Sequence, residues 1–431
     1  MYRKITAFLE AWKKNQYRKP LVLQGARQVG KTYSVLEFGR INYENVAYFN
    51  FETNPKLNRT FEENISPDYL IPILSHISGQ TIVKEKTLII FDEVQLCERA
   101  LTSLKYFCED APDYHIIVAG NLLGVAVNRA KFSFPVGKVD MKTMYPMDME
   151  EFMIAMGEEK LAAQVRQCFE TNTAMPSALH DAAMQLYRQY RVVGGMPECV
   201  LQFAQTRDYI LIRNTQDTIL VSYLNDMSKY NNLNEIKKTR LAYDNITVQL
   251  SKKNTRFQYK LIKKGGRASE FENAIEWLCL SGIVSQVYRI EQIKKPLENY
   301  RDIDAFKIYV SDLGLLCAKK DLAANDILYM AEELNDFKGG MAENYVNVQL
   351  SINGYHTYYW ESARGAEIDF VIQRNEQLIP IEVKSADNTR AKSLKVYMET
   401  YDPEYAIKLS AKNFAFEDNK KTVPLYAAFC I

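Results

Sequence analysis

Residues 25–32 read Gly25-Ala26-Arg27-Gln28-Val29-Gly30-Lys31-Thr32. The two glycines allow a loop whose backbone N–H groups curl around phosphate oxygens. The apolar run Leu21–Gln24 leads into the loop as a strand, and a helix that begins at the loop directs its positive end at the anion. Lys31 is expected to reach the β- and γ-phosphates, and the Thr32 hydroxyl to bind Mg²⁺. All eight loop residues therefore form a predicted nucleoside triphosphate site.

A second apolar strand ends in two acids and reads Leu88-Ile89-Ile90-Phe91-Asp92-Glu93. A phosphate loop needs such a partner, since Asp92 can support Mg²⁺ and Glu93 can deprotonate the attacking water. Lys31 and Glu93 are the candidate catalytic residues for hydrolysis, and Thr32 and Asp92 the candidate metal-binding residues. These motifs do not distinguish ATP from GTP.

Two further polar residues are candidates for the same site. Asn121 follows the next apolar strand, His115 to Ala119, where its side chain can contact the γ-phosphate and the attacking water. Asparagine is equally suited to capping a helix there. Arg129 can enter a neighbouring subunit's site as an arginine finger in a ring or dimer. The alternative for Arg129 is an ordinary exposed arginine.

Composition bounds the organisation and the compartment. A chain of 431 residues is expected to form two to four domains. Its 54 basic and 53 acidic residues nearly cancel, so any nucleic-acid site must be a local patch. No apolar run approaches the ~20 residues that span a bilayer, and the scattered cysteines give no zinc or disulfide pattern. We expect a cytoplasmic protein that does not contact a membrane.

The order of apolar runs predicts an α/β fold. Residues 1–155 alternate short apolar runs with amphipathic stretches, which is typical of parallel strands joined by helices. Residues 156–238 read as helices interrupted at Val193-Gly194-Gly195-Met196-Pro197. Residues 239–334 read as helices followed by strands, and residues 335–431 as a helix followed by alternating strands.

The segment 251–269 is locally basic. It holds seven lysines and arginines and no acid. The helix and strand that follow it suit a winged helix-turn-helix, and the basic charge suits phosphate contacts with DNA. The predicted recognition helix, 270–277, carries three acids, which oppose entry into DNA. A solvated loop on a structural or protein-binding winged helix is therefore an open alternative.

The C-terminal region contains a predicted hairpin with paired carboxylates. The alternating runs 367–373 and 378–384 are joined by a tight turn at Asn375-Glu376. Counting outward from this turn places Asp369 opposite Glu382, with their side chains on one face about 5 Å apart. Lys384 lies two residues further and therefore shares that face.

Two carboxylates at this spacing repel each other unless a cation lies between them. Mg²⁺ bound by Asp369, Glu382 and Glu343 of the preceding helix, with Lys384 beside the scissile phosphate, would form a nuclease site. Asp369, Glu382 and Lys384 are thus candidate catalytic residues. The alternative is an inactive hairpin with a salt-bridged Glu–Lys pair.

The chain resembles prokaryotic ATPases of the AAA superfamily that carry a C-terminal restriction-nuclease-like domain, the Asp…(Asp/Glu)-x-Lys superfamily. The resemblance rests on the loop, on the strand ending at Asp92 and Glu93, and on further motifs. These motifs are Ala119-Gly120-Asn121-Leu122-Leu123-Gly124, Phe134-Pro135-Val136-Gly137-Lys138, Tyr145-Pro146-Met147 and Val193-Gly194-Gly195-Met196-Pro197. No proline precedes Asp369, which departs from the nuclease pattern.

The resemblance favours ATP over GTP as the nucleotide, and it implies four domains. The four domains are an ATPase core (1–155), a helical lid (156–238), a winged-helix-like domain (239–334) and a restriction-endonuclease-like domain (335–431). It also implies that 194–197 is a nucleotide-sensing turn. The leading hypothesis is an ATPase coupled to a nucleic-acid-directed, nuclease-like domain, with DNA bound through 251–269 and the C-terminal domain. The alternatives are an ATP-dependent switch that contacts proteins, and a nuclease licensed by ATP or a partner. A homo-oligomer is also expected.

Overall fold

The computed structural model describes residues 1–120, 135–229, 233–251, 256–385 and 392–431. The chain divides into two compact units. The N-terminal unit comprises Tyr2–Tyr145 and Leu280–Ile283, and the C-terminal unit comprises Met1, Pro146–Cys279 and Val284–Ile431. Among the described residues, no helix combines the length and apolarity needed to cross a bilayer.

The N-terminal unit is built on a parallel sheet. Its strands are β1 (Leu21–Gln24), β2 (Asn45–Asn50), β3 (Thr87–Asp92), β4 (His115–Ala119) and β5 (Asp140–Thr143). The described strands lie in the order β2-β3-β4-β1-β5, and every pairing is parallel. Because parallel strands are covered on both faces, β3 and β4 are buried along their whole length, as continuous apolar runs predict. The parallel sheet predicted for this region is confirmed.

Helices surround this sheet. They are α1 (Ile5–Lys14), α2 (Lys31–Asn42), α3 (Leu57–Glu63), α4 (Pro67–Ser78) and α5 (Glu98–Asp110), with a 3₁₀ turn at Val94–Leu96. One face of the sheet packs an aromatic group in which the rings of Phe49, Phe51 and Phe61 each contact Phe91 or one another. Phe91 precedes the predicted metal-binding carboxylate, so this core fixes the end of β3.

The first part of the C-terminal unit is helical. Its helices before the second sheet are α6 (Met149–Ala155), α7 (Glu159–Thr171), α8 (Ser177–Val193), α9 (Pro197–Thr206), α10 (Tyr209–Lys229), α11 (Leu233–Leu250), α12 (Tyr259–Ile262) and α13 (Ala268–Leu280). Asp148 and Glu151 form a capping box that starts α6, and Pro197 occupies the first turn of α9. The predicted break between α8 and α9 is therefore present.

A mixed sheet forms the rest of this unit. Its strands are β6 (Val284–Ile290), β7 (Arg301–Val310), β8 (Tyr358–Glu361), β9 (Glu367–Arg374), β10 (Gln377–Val383), β11 (Ala406–Ser410), β12 (Ala415–Glu417) and β13 (Lys420–Pro424), with helices α14 (Leu313–Lys319), α15 (Ala324–Tyr329), α16 (Asn335–Ile352) and α17 (Lys392–Tyr401) and 3₁₀ turns at Leu297–Tyr300, Glu332–Leu334 and Leu425–Cys430. The described strands lie in the order β12-β13-β11-β10-β9-β8-β6-β7.

This sheet crosses the boundary predicted at 334/335. β6 pairs with β7 as an antiparallel hairpin, as a wing does, but β6 also pairs with β8 in parallel. Strands of the predicted winged-helix-like and nuclease-like domains thus share one sheet. The four domain boundaries and the winged-helix and nuclease-like folds stay predictions.

The predicted hairpin is confirmed in register. β9 and β10 pair from Arg374↔Gln377 to Phe370↔Ile381, and Asn375 in the turn has φ +52°. The next positions outward are Asp369 and Glu382. A left-handed φ at asparagine is what a tight two-residue hairpin turn requires.

Candidate nucleotide site and C-terminal carboxylate cluster

The phosphate loop links β1 to α2 and depends on two glycines. Gly25 has φ +147°, and a Cβ there would lie 2.1 Å from the carbonyl oxygen of Met144. Gly30 has φ +91° and precedes the first residue of α2. Both positions favour glycine for physical reasons, one by close backbone approach and one by conformation. The N-terminus of α2 therefore faces the loop, as phosphate binding requires.

The loop lysine and the N-terminal arginine bind loop carbonyls. Lys31 is 6% exposed, and its Nζ donates to the carbonyl oxygens of Gly25 (2.9 Å) and Ala26 (2.7 Å). Arg3, also buried, donates from Nη1 to the Val29 carbonyl at 2.9 Å and from Nη2 to the Tyr145 carbonyl at 2.7 Å. Arg3 thus holds the loop in place. Sequence reasoning did not find it, since nothing near it in the chain indicates so distant a partner.

The carboxylate of Asp92 joins β3 to the loop. Its Oδ2 accepts from the Thr32 hydroxyl at 2.9 Å and from the Tyr48 hydroxyl at 2.7 Å, and its Oδ1 accepts from the Glu93 N–H at 3.0 Å. The structure thus brings the two predicted Mg²⁺-binding residues into direct contact. Burial raises the pKa of Tyr48 to about 12, so its hydroxyl stays a donor at neutral pH.

Tyr48 was missed as a site residue, although a signal for it exists. It lies near the end of β2, next to β3, and the carboxyl ends of neighbouring parallel strands meet at one edge of the sheet. A hydroxyl there is therefore a candidate partner for Asp92.

Glu93 occupies an unusual backbone conformation at the end of β3. Its φ is +52°, in the left-handed region that glutamate seldom adopts, and its carboxylate accepts from the Gln95 side-chain amide. Burial raises the pKa of Glu93, with a further contribution from Asp92. A raised pKa makes a carboxylate a stronger base once it is ionised.

The donor set fits a Mg²⁺ ion bound with a nucleotide. A hydroxyl (Thr32) and a carboxylate (Asp92) lie within hydrogen-bond distance of each other, and both are oxygen ligands of the kind that Mg²⁺ prefers. Asn121 and Arg129 lie outside the described residues.

The paired carboxylates of β9 and β10 have separate partners. The Asp369 Oδ2 accepts from the Val383 N–H at 2.7 Å, across the hairpin. Glu382 is 2% exposed, and its Oε1 lies 2.7 Å from the Lys384 Nζ. Its Oε2 has no hydrogen-bond partner among the described residues. The predicted Glu382–Lys384 pair is therefore present, as an ion pair between a buried carboxylate and a partly exposed ammonium.

A lysine from outside the motif lies beside what we call the carboxylate cluster, which consists of Glu343, Glu367, Asp369 and Glu382. Lys307 on β7 is 1% exposed, and its Nζ lies 3.4 Å from Glu343 Oε2 and 2.5 Å from Glu367 Oε1. The Tyr309 hydroxyl also donates to Glu343 Oε2, at 2.9 Å. Burial alone lowers the pKa of Lys307, but Glu343, Glu367 and Asp369 together raise it above its ordinary range. Lys307 is therefore a cation at neutral pH.

The residues predicted to hold a second Mg²⁺ do not fit one as they stand. Among the described residues, no three His, Cys, Asp or Glu side chains are grouped so that they could hold a metal ion. Glu343 is already paired with Lys307 and Tyr309. Burial and the neighbouring Glu343 raise the pKa of Asp369. We therefore derive no metal-dependent step at this cluster, which remains a prediction.

The turn between α8 and α9 is tightly fixed within the C-terminal unit. The Gly195 N–H donates to Asp312 Oδ2 at 2.6 Å, and a Cβ on Gly195 would lie 2.0 Å from the Met147 carbonyl oxygen. Asp312 also accepts from the Leu315 N–H at 2.8 Å, at the start of α14. One buried carboxylate thus holds two elements together.

Of the basic segment 251–269, the structure describes residue 251 and residues 256–269. Lys263 pairs with Glu270 of the following helix at 2.8 Å, so one of the acids that oppose DNA entry is neutralised by a lysine of the segment. Both partners are exposed or half-buried, and such a pair is worth little in stability.

Family models match three parts of the chain. Residues 17–153 match the model described as an AAA domain. Residues 184–326 match a domain of unknown function (DUF8612), and residues 338–428 match another (DUF4143). With the loop, the β3 carboxylates and the parallel sheet, the first match is decisive for its segment. Residues 17–153 are an AAA-type P-loop domain.

Solved structures show distant likenesses. A Walker-type ATPase of Pyrococcus abyssi is 13% identical, with 73% of this chain and 94% of that chain covered and a TM-score of 0.45. The ORC2 protein of Aeropyrum pernix, in ADPNP–ADP complexes, is 11% identical, with 76% and 95% covered and a TM-score of 0.41. The RuvB Holliday junction branch migration motor of Thermotoga maritima is 13% identical, with 65% and 87% covered and a TM-score of 0.29. A comparison with curated proteins found no match.

Proposed function

We propose that the chain hydrolyses ATP in its N-terminal unit and uses nucleotide state to control nucleic-acid binding by its C-terminal unit. The observation that carries the ATPase is the hydrogen bond of 2.9 Å between Thr32 Oγ1 and Asp92 Oδ2, next to Glu93. This contact, within the segment that matches an AAA domain, supports the roles proposed for the phosphate loop, for Asp92 as the metal-supporting carboxylate and for Glu93 as the base.

In this proposal, the loop N–H groups and Lys31 bind the phosphates, and Lys31 exchanges its contacts with the loop carbonyls for phosphate oxygens. Thr32 and Asp92 would hold Mg²⁺, which when bound neutralises phosphate charge. Glu93 orients a water molecule and accepts its proton as the water oxygen attacks the γ-phosphorus. The bond to the bridging oxygen breaks, leaving ADP and phosphate.

Steady-state phosphate release tests the ATPase. Lys31→Ala should abolish nucleotide binding measured by calorimetry. Glu93→Gln should keep binding and lower kcat by at least ~100-fold, which is the lower end of what general-base catalysis contributes. Unchanged turnover in Glu93→Gln would remove Glu93 from the mechanism, and unchanged binding in Lys31→Ala would refute the nucleotide site.

The described carboxylate cluster supports binding without cleavage. Lys307 neutralises Glu343 and Glu367, and a cation already present there disfavours a divalent ion. This favours the alternative of a catalytically inactive nuclease-like module over a Mg²⁺-dependent nuclease. One observation favours the Mg²⁺-dependent nuclease instead: the Glu382 Oε2 has no hydrogen-bond partner among the described residues. Mg²⁺-dependent DNA degradation that Asp369→Ala abolishes would restore the nuclease hypothesis.

The basic segment supports nucleic acid as the partner. The described part, 256–269, keeps five lysines and arginines and no acid. ATPase activity measured with and without DNA is the decisive comparison. Clear stimulation by DNA supports a nucleic-acid-directed ATPase, whereas unchanged activity favours the protein-interaction switch. Arginine-finger catalysis in a homo-oligomer stays a prediction.

A further inference from the structure

A cavity of about 240 Å³ lies within the C-terminal unit, and the carboxylates Glu343, Glu367, Asp369 and Glu382 are not among its lining residues. Helix α8 lines one side of it with Met184, Tyr187, Arg188 and Arg191, and Lys338 of α16 contributes to its lining. Three of the lining side chains are cationic, and none of the described residues that line the cavity is acidic. Neither the ATPase nor the predicted nuclease uses these residues.

Arg191 is the unusual member of this group. It is 6% exposed, and its Nε has no hydrogen-bond partner among the described residues. Its guanidinium carbon lies 5.2 Å from the centroid of the Tyr187 ring, which stabilises the charge only in part. Burial lowers the pKa of Arg191. A buried guanidinium is normally paired with an anion, because leaving it unpaired costs several kcal/mol.

The other cations increase the need for an anion. Arg188 lies one helical turn before Arg191 on α8, and like charges at this spacing repel each other. Lys338 contributes a third charge, and its Nζ donates only to the neutral amide oxygen of Asn335, at 2.8 Å, among the described residues. Guanidinium groups converging on one cavity match the oxygens of a phosphate.

The rest of the lining indicates what the anion is attached to. A single water occupies roughly 10–15 Å³ by this measure, so a cavity of about 240 Å³ accepts much more than a free ion. Tyr187 and the methionines Met184, Met330 and Met341 give it an apolar, polarisable wall. We propose that this cavity binds a small phosphorylated molecule with a planar or apolar body, its phosphate held by Arg188 and Arg191.

Calorimetric titration of the full chain with adenosine monophosphate and, separately, with inorganic phosphate tests the proposal. The titrations use the Lys31→Ala background, so that the phosphate loop contributes nothing. We expect the nucleotide to bind more tightly than phosphate, because only the nucleotide reaches the apolar wall. Arg191→Met should weaken nucleotide binding by about 10- to 100-fold, the size of a lost charge-assisted hydrogen bond. The nucleotide affinity of Arg191→Lys should lie between those of the wild type and Arg191→Met. Lysine keeps the positive charge but loses the two-pronged hydrogen bonding of the guanidinium.

Arg188→Gln provides a second variant, because Arg188 is exposed and its replacement leaves the core unchanged. It should also weaken binding, whereas Arg364→Gln, which removes an equal exposed charge elsewhere in the unit, should not. The proposal is overturned if the Lys31→Ala protein binds neither probe. It is equally overturned if phosphate binds as tightly as the nucleotide, or if the Arg188 and Arg364 variants behave alike.

Discussion

Replacing Lys307 with methionine removes a charge from the carboxylate cluster while keeping the side-chain length. The ammonium is 1% exposed and pairs with Glu343, whose side chain is 14% exposed, and with Glu367, which is 36% exposed. Breaking a buried pair by removing one partner costs about 3–5 kcal/mol, and the exposure of Glu367 reduces its share. We expect Lys307→Met to destabilise the C-terminal unit by about 2–4 kcal/mol.

Amide hydrogen exchange in β7 and β9 measures this locally, without assuming that both units unfold together. The expected loss corresponds to exchange about 30- to 1,000-fold faster, at 1.36 kcal/mol per tenfold. Lys395→Met is the matched control, since Lys395 is 76% exposed and should leave exchange unchanged. Adding Glu343→Gln to Lys307→Met should recover part of the loss, because one uncompensated carboxylate disappears.

A metal titration extends the same experiment. If the ammonium occupies the position a cation would take, Mn²⁺ or Mg²⁺ should slow exchange in Lys307→Met, by linkage, and leave the wild type unchanged. In this titration, the Lys307→Met protein and the protein with the native Lys307 both also carry Lys31→Ala, so that the nucleotide site does not respond to the metal. A change below ~1 kcal/mol in Lys307→Met would contradict the assigned role. Equal metal protection in both proteins would mean that Lys307 does not exclude the ion.

Four further predictions concern single residues or, in one case, a short basic segment. Because burial raises the pKa of Glu93, which must be ionised to act as a base, kcat should fall toward acid pH with a midpoint above the ~4.3 of an ordinary glutamate; an ordinary midpoint contradicts this. Gly25→Ala should abolish nucleotide binding in calorimetry, because the added Cβ would lie 2.1 Å from the Met144 carbonyl oxygen. Gly339→Ala is the control and should leave binding unchanged, because a Cβ there has no atom within 4 Å beyond its own stretch of helix. Burial raises the pKa of Asp312 to about 6, so its contribution to stability is greatest below about 4 and is lost as pH rises through about 6; Asp312→Asn should lack this loss in urea unfolding. If DNA binds, neutralising the three cations of 263–267 should reduce the slope of log K against log salt by up to about 3, and an unchanged slope would favour a protein partner.

Local patterns predicted much of the fold. The strand before the loop is Leu21–Gln24 in both sequence and structure, and the register of the β9–β10 hairpin follows from its turn and alternation. The strand β5 was missed because Asp140–Thr143 has no apolar run; it pairs with β1 at the edge of the sheet, with partly buried or exposed residues throughout. An edge strand needs no continuous apolar sequence, so periodicity cannot detect it.

The site residues also include some that local sequence patterns predicted and some that they did not. Thr32 and Asp92 were predicted together because both belong to short motifs with a known geometric relation. Arg3 was not, because its partners Val29 and Tyr145 lie 26 and 142 residues away. Its role depends on the folded positions of backbone carbonyls, which have no sequence signature.

The C-terminal motif illustrates why a pattern of carboxylates does not determine chemistry. The hairpin places Asp369 and Glu382 at adjacent register positions through backbone rules alone. What the carboxylates can bind depends on the charge around them, and a lysine of β7, outside the motif, supplies it. A group of carboxylates that contains an ammonium has a lower affinity for a divalent cation than the same group without one. Identifying a nuclease therefore requires the position of Lys307 as well as the spacing of the motif. The metal titration of Lys307→Met, followed by hydrogen exchange, separates the effect of Lys307 on metal binding from that of the carboxylates themselves.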